Sequence, residues 1–252
     1  MSISVLVPVL GRPANAAPLV ESLDASSEAQ HELIFICTPG DEEQIAACQE
    51  TWANILVVTW QPERDYGRKM NAGYRHAQHD WILLGADDVS FDPGWDTELL
   101  RVAEESGKRV IGSNDMANRL VMRGAFSTHP LVARSYVEEH GGGLEGPGLI
   151  VSDAYEHNFP DRELACLAMK RGEWAFAKNA VVRHNHPAFG GGKQDATYNR
   201  GRDTFLDDQT LFWERSAQWD HVGLIPQEMS LIKRSQRRLA RQSTARARRE
   251  RG

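Results

Sequence analysis

The chain has 252 residues, 41% of them hydrophobic, enough for one sizeable core, and its longest apolar runs are strand-sized rather than membrane-spanning. The formal charge of −6 is unevenly spread: Lys233 to Gly252 holds nine Lys or Arg against one acid, Glu250, which leaves −14 on the first 232 residues. Cys37, Cys48 and Cys166 are odd in number and show no Cys-x-x-Cys spacing, which speaks against a disulfide framework or a zinc knuckle and suits a reducing cytoplasm.

The N-terminus lacks the basic start and long apolar middle of a secretory signal and runs straight into a strand pattern over 4–10. Gly11-Arg12-Pro13 breaks that strand, and 16–23 reads as a helix. A second strand over 31–38 closes at Pro39-Gly40-Asp41, where Asp41 is placed to cap a helix running through 44–52. A third strand follows at 55–60, a helix at 66–76, and a fourth strand at 81–88 ending in Asp87 and Asp88. Alternation of this kind implies a parallel sheet with right-handed crossovers.

The second half changes character. Segments 109–115 and 119–130 read as shorter strands of a mixed sheet, and the glycines of 141–143 and 146–148 mark a mobile loop. A helix is expected over 161–170 with Gly172 beyond its end, a strand over 175–186, a polar loop opened by Gly190 to Gly192, and a helix over 203–213. After Met229 helix formers occur with little apolar pattern, so that segment reads as a marginal helix or as disordered in isolation.

Asp87 and Asp88 stand at the carboxyl end of a strand, where open parallel sheets bind their ligands. Adjacent carboxylates repel each other, and a hard cation such as Mg²⁺ or Mn²⁺, shared with substrate phosphates, relieves that repulsion. A turn or cap is the other use of such a pair, and spacing alone does not separate the two.

Together, PVLGRP near the start and GRKMNAGYRHAQHDWILLGADDVSFDPGW over 67–95 resemble the donor-binding half of GT-A fold, family 2-like glycosyltransferases. The resemblance covers roughly residues 3–215. It implies an α/β, Rossmann-like GT-A domain over 1–228, with a mixed, mostly parallel central sheet and flanking helices. Its donor half spans about 1–100 and its acceptor half about 101–228, followed by a basic tail over 229–252. The activity implied is metal-dependent, inverting transfer from a nucleotide-sugar, a UDP-sugar first, to a hydroxyl.

The same resemblance assigns residues. Asp87 takes Mn²⁺ or Mg²⁺ with Asp88 as helper. Pro8 and Arg12 lie where the nucleotide base packs, and Thr38 and Asp41 where base or ribose is met. Gly67, Arg68, Lys69 and Asn71 precede the metal strand, with Lys69 or Arg68 balancing diphosphate charge. Gly85 departs from the family's first Asp, so the ribose and sugar contacts stay open. Asp161-Arg162-Glu163-Leu164 resembles the Glu-Asp-x-Asp-Leu motif with Pro160 in place of the Glu. Asp161 then aligns with the general base and Glu163 falls in the same catalytic motif; helix capping is the plainer use of Asp161, and Asp153 is the rival base. His184 and His186 alternate onto one face and match the place where related enzymes offer a His to metal or diphosphate; sequence does not choose between them. Lys193 sits in a glycine-rich loop suited to a lid over the diphosphate.

The tail suits salt-sensitive, sequence-independent contact with nucleic acid, and equally an acidic protein, an anionic membrane surface or a neighbouring copy; few aromatics interrupt it, which argues against base stacking there. Chain size and motif style resemble small bacteriophage glycosyltransferases. That placement implies work in the host cytoplasm on a hydroxymethylated base in DNA or on a virion protein. Two rivals remain on sequence: a nucleotidyltransferase, for which Gly11-Arg12-Pro13-Ala14 is a poor phosphate loop, and a nucleic-acid-binding scaffold with a degenerate sugar site, which Gly85 supports.

Overall fold

The computed structural model describes residues 1–58 and 65–233. The tail over 234–252 and the end of the third expected strand, 59–60, lie outside the described residues. Strands β1 (Ser2–Pro8), β2 (Gln30–Cys37), β3 (Asn54–Val57) and β4 (Trp81–Leu84) are parallel to one another and stand in the order β3-β2-β1-β4. Their near-continuous apolar runs reflect cover on both faces. In β1, Ile3, Val5 and Val7 pack with Leu19 and Leu23 of α1 (Ala16–Ser26) and with Leu99 of α4 (Trp95–Ser106). Leu6 points the other way, into a cluster with Met70 of α3 (Asp65–His76) and Leu164 of α6 (Pro160–Lys170).

The sheet continues through β7 (Leu131–Ala133), β6 (Val110–Asn114), β8 (Trp174–His184) and β5 (Val89–Phe91). Strand β7 runs antiparallel to β4 and β6, β5 antiparallel to β8, and β8 parallel to β6. Four of the seven pairings are thus parallel, the mixed, mostly parallel GT-A architecture. Because the chain leaves β1 towards β2 and returns on its other side as β4, a crevice opens between the carboxyl ends of β1 and β4. Arg12 follows one of these strands and Asp87 the other.

Several expected boundaries move, each for a local reason. The fourth strand stops at Leu84, and Asp87 and Asp88 lie in the turn leading to β5. Gly85 donates its N–H to the Leu6 carbonyl at 2.8 Å. A Cβ on Gly85 would lie 2.9 Å from that same oxygen and 3.0 Å from Val7 Cγ2, so no side chain fits there while β1 holds its place. The missing first Asp of the family pattern is therefore a packing requirement of this backbone.

The expected strand over 119–130 is a turn with a short 3-10 segment at Val121–Arg123. Asp115 accepts the N–H groups of Ala117 and Asn118, both at 2.9 Å, and so holds the chain out of the sheet until β7. The glycines of 141–143 are buried rather than mobile: a Cβ would come within 1.8 Å of the Gly146 carbonyl oxygen at Gly141, and within 1.8 Å of that of Ile150 at Gly142. Helix α4 and the short α5 (Arg134–Glu139) were not signalled. Helix α2 (Glu42–Gln49) follows Asp41, but no side chain caps it. The last long helix, α7 (Ala196–Arg215), starts at Ala196 rather than 203 because Asp195 caps it, accepting from Tyr198 N at 2.9 Å. All three cysteines are free and buried. Among the described residues no helix is long and apolar enough to cross a membrane.

Candidate active site

A cavity of about 720 Å³ opens at the crevice between β1 and β4 and extends to the start of α6 and one face of α7. Of the residues singled out by sequence, Pro8, Arg12, Lys69, Asp87, Asp88, Asp161, His184 and His186 line it. The tight turns after β1 and β4 bring Arg12 and the acidic pair face to face. Arg12 Nη1 lies 3.0 Å from Asp87 Oδ1 and 4.0 Å from Asp88 Oδ2. The other edge of its guanidinium grips Asp195, Nε donating at 2.7 Å and Nη2 at 3.0 Å. Its guanidinium carbon lies over the Tyr198 ring, 3.8 Å from the ring centre.

Asp88 is held differently. Tyr198 donates its hydroxyl to Asp88 Oδ2 at 2.6 Å, and His184 Nε2 stands 3.3 Å from the same oxygen. His184 is flanked by the rings of His129 and His186, with centroids 5.0 and 5.2 Å away. These contacts split the pair electrostatically. Burial pushes the Asp87 carboxyl up to about 6, with Arg12 opposing and the neighbouring Asp88 charge adding to the rise. Burial acts on Asp88 as well, but hydrogen bonds from His184 and Tyr198 outweigh it and hold that carboxyl well below the usual range. Burial likewise works against charge on His184, yet the Asp88 contact wins and raises its pKa. His129, buried and beside His184, is driven down to about 3 and stays neutral.

Asp161 sits in the first turn of α6, after Phe159 and Pro160. Phe159 takes φ +75°, a left-handed conformation that costs a non-glycine residue roughly 1–3 kcal/mol and that turns the helix start towards the cavity. Burial raises the Asp161 carboxyl to about 6, against the backbone N–H groups at the helix start that favour its charge. A carboxyl poised there exchanges its proton near neutral pH.

The remaining candidates lie elsewhere. Glu163 is fully buried, accepting from Arg215 Nε at 2.7 Å, the Tyr155 hydroxyl at 2.6 Å and Leu144 N at 3.0 Å; it does not line the cavity and acts as a structural anion. Asn71 clamps α3 to the distant segment before α6, accepting from Ile150 N at 2.9 Å and donating to the Val151 carbonyl at 3.0 Å. Gly67 is a close contact, where a Cβ would stand 2.8 Å from the Ser152 carbonyl oxygen. Asp41 accepts from Gly11 N at 2.7 Å and shapes the β1 turn from outside. Thr38, Arg68 and Lys193 do not line the cavity either, and Lys193 is exposed. Lys69 does line it, but its ammonium donates to the Val9 carbonyl at 2.7 Å and pairs with Asp65 at 3.0 Å, which fixes the end of β1.

Sequence reasoning passed over Asp195, Tyr198 and His129. Asp195 carried a usable signal, an Asp three residues before an aromatic at a helix start. Nothing local marked Tyr198 as a partner of an aspartate 110 positions upstream.

The donor chemistry suits a divalent ion. Asp87 and Asp88 offer hard oxygens and His184 a ring nitrogen; Arg12 shows that the corner holds a cation, and the buried His184 Nδ1 and His129 Nε2 find no hydrogen-bond partner among the described residues. Among the described residues no group of three or more His, Cys, Asp or Glu side chains is arranged to hold a metal ion.

Comparison with known proteins shows the family and the fold. A family model described as glycosyl transferase family 2 matches residues 4–135. An uncharacterized glycosyltransferase of Haemophilus influenzae is 26% identical over 106 residues, covering 41% of this chain and 35% of that protein. The chain thus matches about a third of that relative's length. Among solved structures, a mannosyltransferase from Pyrobaculum calidifontis in complex with GDP-Man and Mn²⁺ superposes with a TM-score of 0.61 at 13% identity, covering 91% of this chain and 67% of that one. Glucosyl-3-phosphoglycerate synthase from Mycobacterium tuberculosis, in complex with Mn²⁺, UDP and phosphoglyceric acid, gives 0.57 at 13% identity, covering 84% and 77%. At such identities the likeness is one of fold.

Proposed function

Because the chain belongs to glycosyl transferase family 2, we propose that it moves a sugar from a nucleotide-sugar donor to an acceptor hydroxyl with inversion at the anomeric carbon. The observation that carries this reading is the placement of the Asp87–Asp88–His184 corner and the Asp161 carboxyl on one cavity. The solved relatives hold GDP-Man or UDP together with Mn²⁺. By analogy the donor here is a nucleoside-diphosphate sugar, a UDP-sugar first, and the ion Mn²⁺ or Mg²⁺.

Asp87, Asp88 and His184 would hold that ion, which supplies charge neutralisation for the departing diphosphate. The chain's own groups do the rest. Arg12, pinned by Asp195 and stacked on Tyr198, adds a fixed cation at the diphosphate end. Asp161, ionised above about pH 6, takes the acceptor hydroxyl proton. The neutral His129 supports His184 from behind without adding charge. Inversion follows from a base acting directly on the acceptor, with no protein nucleophile between donor and product.

For the acceptor, a hydroxymethylated base in DNA suits the charge distribution better than a virion protein. The chain leaves the described structure through a helical segment, 226–233, whose Glu228 forms a bidentate ion pair with Arg162 on the cavity wall. The nine cations over 233–251 therefore follow a segment docked beside the site.

Incubating the purified protein with UDP-sugars and Mn²⁺ tests the donor half: metal-dependent hydrolysis should appear and vanish in Asp87→Asn. Absence of both hydrolysis and Mn²⁺-dependent donor binding would sink the reading. Deleting 234–252 tests the acceptor: transfer to DNA should fall while transfer to the free nucleoside persists, and equal losses on both would remove DNA as the acceptor.

A further inference from the structure

We propose that the wall of the cavity beside Asp161 is an acceptor subsite for an uncharged aromatic ring that carries the reacting hydroxyl. The proposal rests on the glycosyl-transfer reading for its chemistry, but not for its binding.

Three phenylalanines converge here. Phe126, from the turn before β7, Phe159, at the start of α6, and Phe205, on α7, all line the cavity. Phe205 is 41% exposed although it lies on a concave surface and its ring centre is 5.3 Å from that of Phe159. Phe159 is the residue held at φ +75° two positions before Asp161, so the ring and the base are set by one strained turn. A half-exposed phenyl ring facing a cavity, against a neighbour whose backbone is strained to present it, is the arrangement a flat ligand would complete.

The Arg162 charge on this wall is paired. Arg162 lies between Phe126 and Phe212, its guanidinium carbon 5.4 and 5.1 Å from their ring centres. Both of its terminal nitrogens are committed to Glu228, Nη2 donating at 2.5 Å, and both side chains are buried. A phosphorylated or carboxylated acceptor would find both terminal nitrogens of Arg162 already paired. Asn118, Thr128 and Gln209 are among the neutral polar side chains that line the cavity and could meet the ring's edge. The exposed Arg200 also lines the cavity and suits a flanking group rather than the ring itself.

In the transfer, the acceptor oxygen forms the new bond to the anomeric carbon while the bond from that carbon to the diphosphate oxygen breaks. The hydroxyl proton passes to Asp161, and the electron pair of the broken bond leaves on the diphosphate. An aromatic ring seated on Phe205 and Phe159 holds its hydroxyl beside that base.

Two sources share this chemistry, a hydroxymethylated pyrimidine and a phenol. Saturation-transfer NMR on the full chain separates them, with 5-hydroxymethyl-2′-deoxyuridine and N-acetyl-tyrosinamide as probes and glycerol and methyl glucoside as non-aromatic controls. The expected result is transfer to the ring protons of one aromatic probe and no comparable transfer to the controls. Phe205→Ala should weaken that binding roughly tenfold, the scale of one lost stacking contact, and Phe205→Trp should restore it. Because Phe205 is half-exposed, both variants are expected to keep the wild-type circular dichroism spectrum and thermal midpoint. The proposal is overturned if neither ring compound binds, if the controls bind as well as the rings do, or if Phe205→Ala binds like wild type. UDP-sugar hydrolysis, run in parallel, reports on the donor end alone: ring binding without any hydrolysis would sustain the aromatic subsite and count against the glycosyltransferase reading.

Discussion

The strands from Ser2 to Leu84 and the segment from Asp115 to Lys233 build the two sides of one cavity by different means. On the first side the functional groups stand just beyond strand ends. Arg12 and Asp87 meet because β1 and β4 are neighbours in a parallel sheet, and apolar packing on both faces fixes that register. On the second side, buried polar contacts between distant residues do the positioning. Asp208 accepts the N–H groups of Glu156, His157 and Asn158 at 2.7–2.9 Å, Glu163 binds Arg215, and Arg162 binds Glu228. Hydrophobic burial is non-directional and tolerant of small changes, whereas a buried ion pair fails steeply when one partner is removed. The first side should therefore lose chemistry before it loses fold, and the second side the reverse.

The largest effects belong to Asp87 and Asp161, the carboxylates that line the cavity from its two sides. Asp87→Asn should lower kcat/KM by roughly a thousandfold with little change in thermal midpoint, the loss of a transition-state contact of several kcal/mol. Asp161→Asn should cost about 10²–10⁴-fold in kcat, the usual range for a general base. Their protonation makes the pair visible in a pH profile. Both carboxyls are raised to about 6, so both are ionised and active above that pH and protonated below it. The acid limb of kcat/KM at low Mn²⁺ should therefore fall with a slope approaching two. Asp161→Asn should reduce that slope to one, and saturating Mn²⁺ should shift the Asp87 limb to lower pH, since the ion competes with the proton. A slope of one in the wild type would show that only one of the two is required in ionised form.

A stability experiment addresses the second side directly. Arg215→Ala leaves Glu163, which is fully buried, with the Tyr155 hydroxyl and one backbone N–H in place of its ion pair. That should destabilise the protein by about 3 kcal/mol, the lower end for an uncompensated buried charge, or about 150-fold in the folding equilibrium. At a temperature where the variant stays folded, kcat should remain within about twofold of wild type, because neither residue lines the cavity. Urea denaturation followed by assay of the native fraction separates the two. A large fall in kcat in fully folded protein would mean that Glu163 acts in the chemistry after all.

The same contrast explains what the sequence disclosed. Near-continuous apolar runs and turn residues marked β1, β2 and β4 and placed Asp87 beyond a strand end, because those signals are local. Residues whose role depends on partners far along the chain stayed hidden: Tyr198 reaches Asp88, and Arg215 reaches Glu163 across 52 positions. Glu163 shows the cost of a motif read alone, since its place in a catalytic-looking run coincides with a fully buried structural anion. The glycines of 141–143 gave a similar lesson. Composition suggested a mobile loop, whereas backbone approaching backbone excludes any Cβ there. Gly85 read as a degenerate site, and the Leu6 carbonyl supplies the physical reason for it.

Arg12 is where the comparison breaks down, because it bridges the two sides: Asp87 on one flank, Asp195 and Tyr198 on the other. Its guanidinium, 3.0 Å from Asp87 Oδ1, occupies coordination space on Asp87 that a metal ion would need. Arg12→Gln should therefore tighten the binding of Mn²⁺ alone, by about tenfold, as removal of one charged hydrogen bond worth about 1.5 kcal/mol would do. The same change should weaken Mn²⁺ binding in the presence of UDP, since the cation that helps the diphosphate is gone. Arg12 also holds the Asp87 carboxyl down, so its loss raises that group further and adds proton competition. The titration, followed by the electron paramagnetic resonance signal of free Mn²⁺, is therefore best made near pH 8, where Asp87 is ionised in both proteins. Opposite signs with and without UDP would show one residue serving as resident cation in the free enzyme and as diphosphate partner in the complex. Weaker binding in both conditions would instead make Arg12 a scaffold that merely orients Asp87.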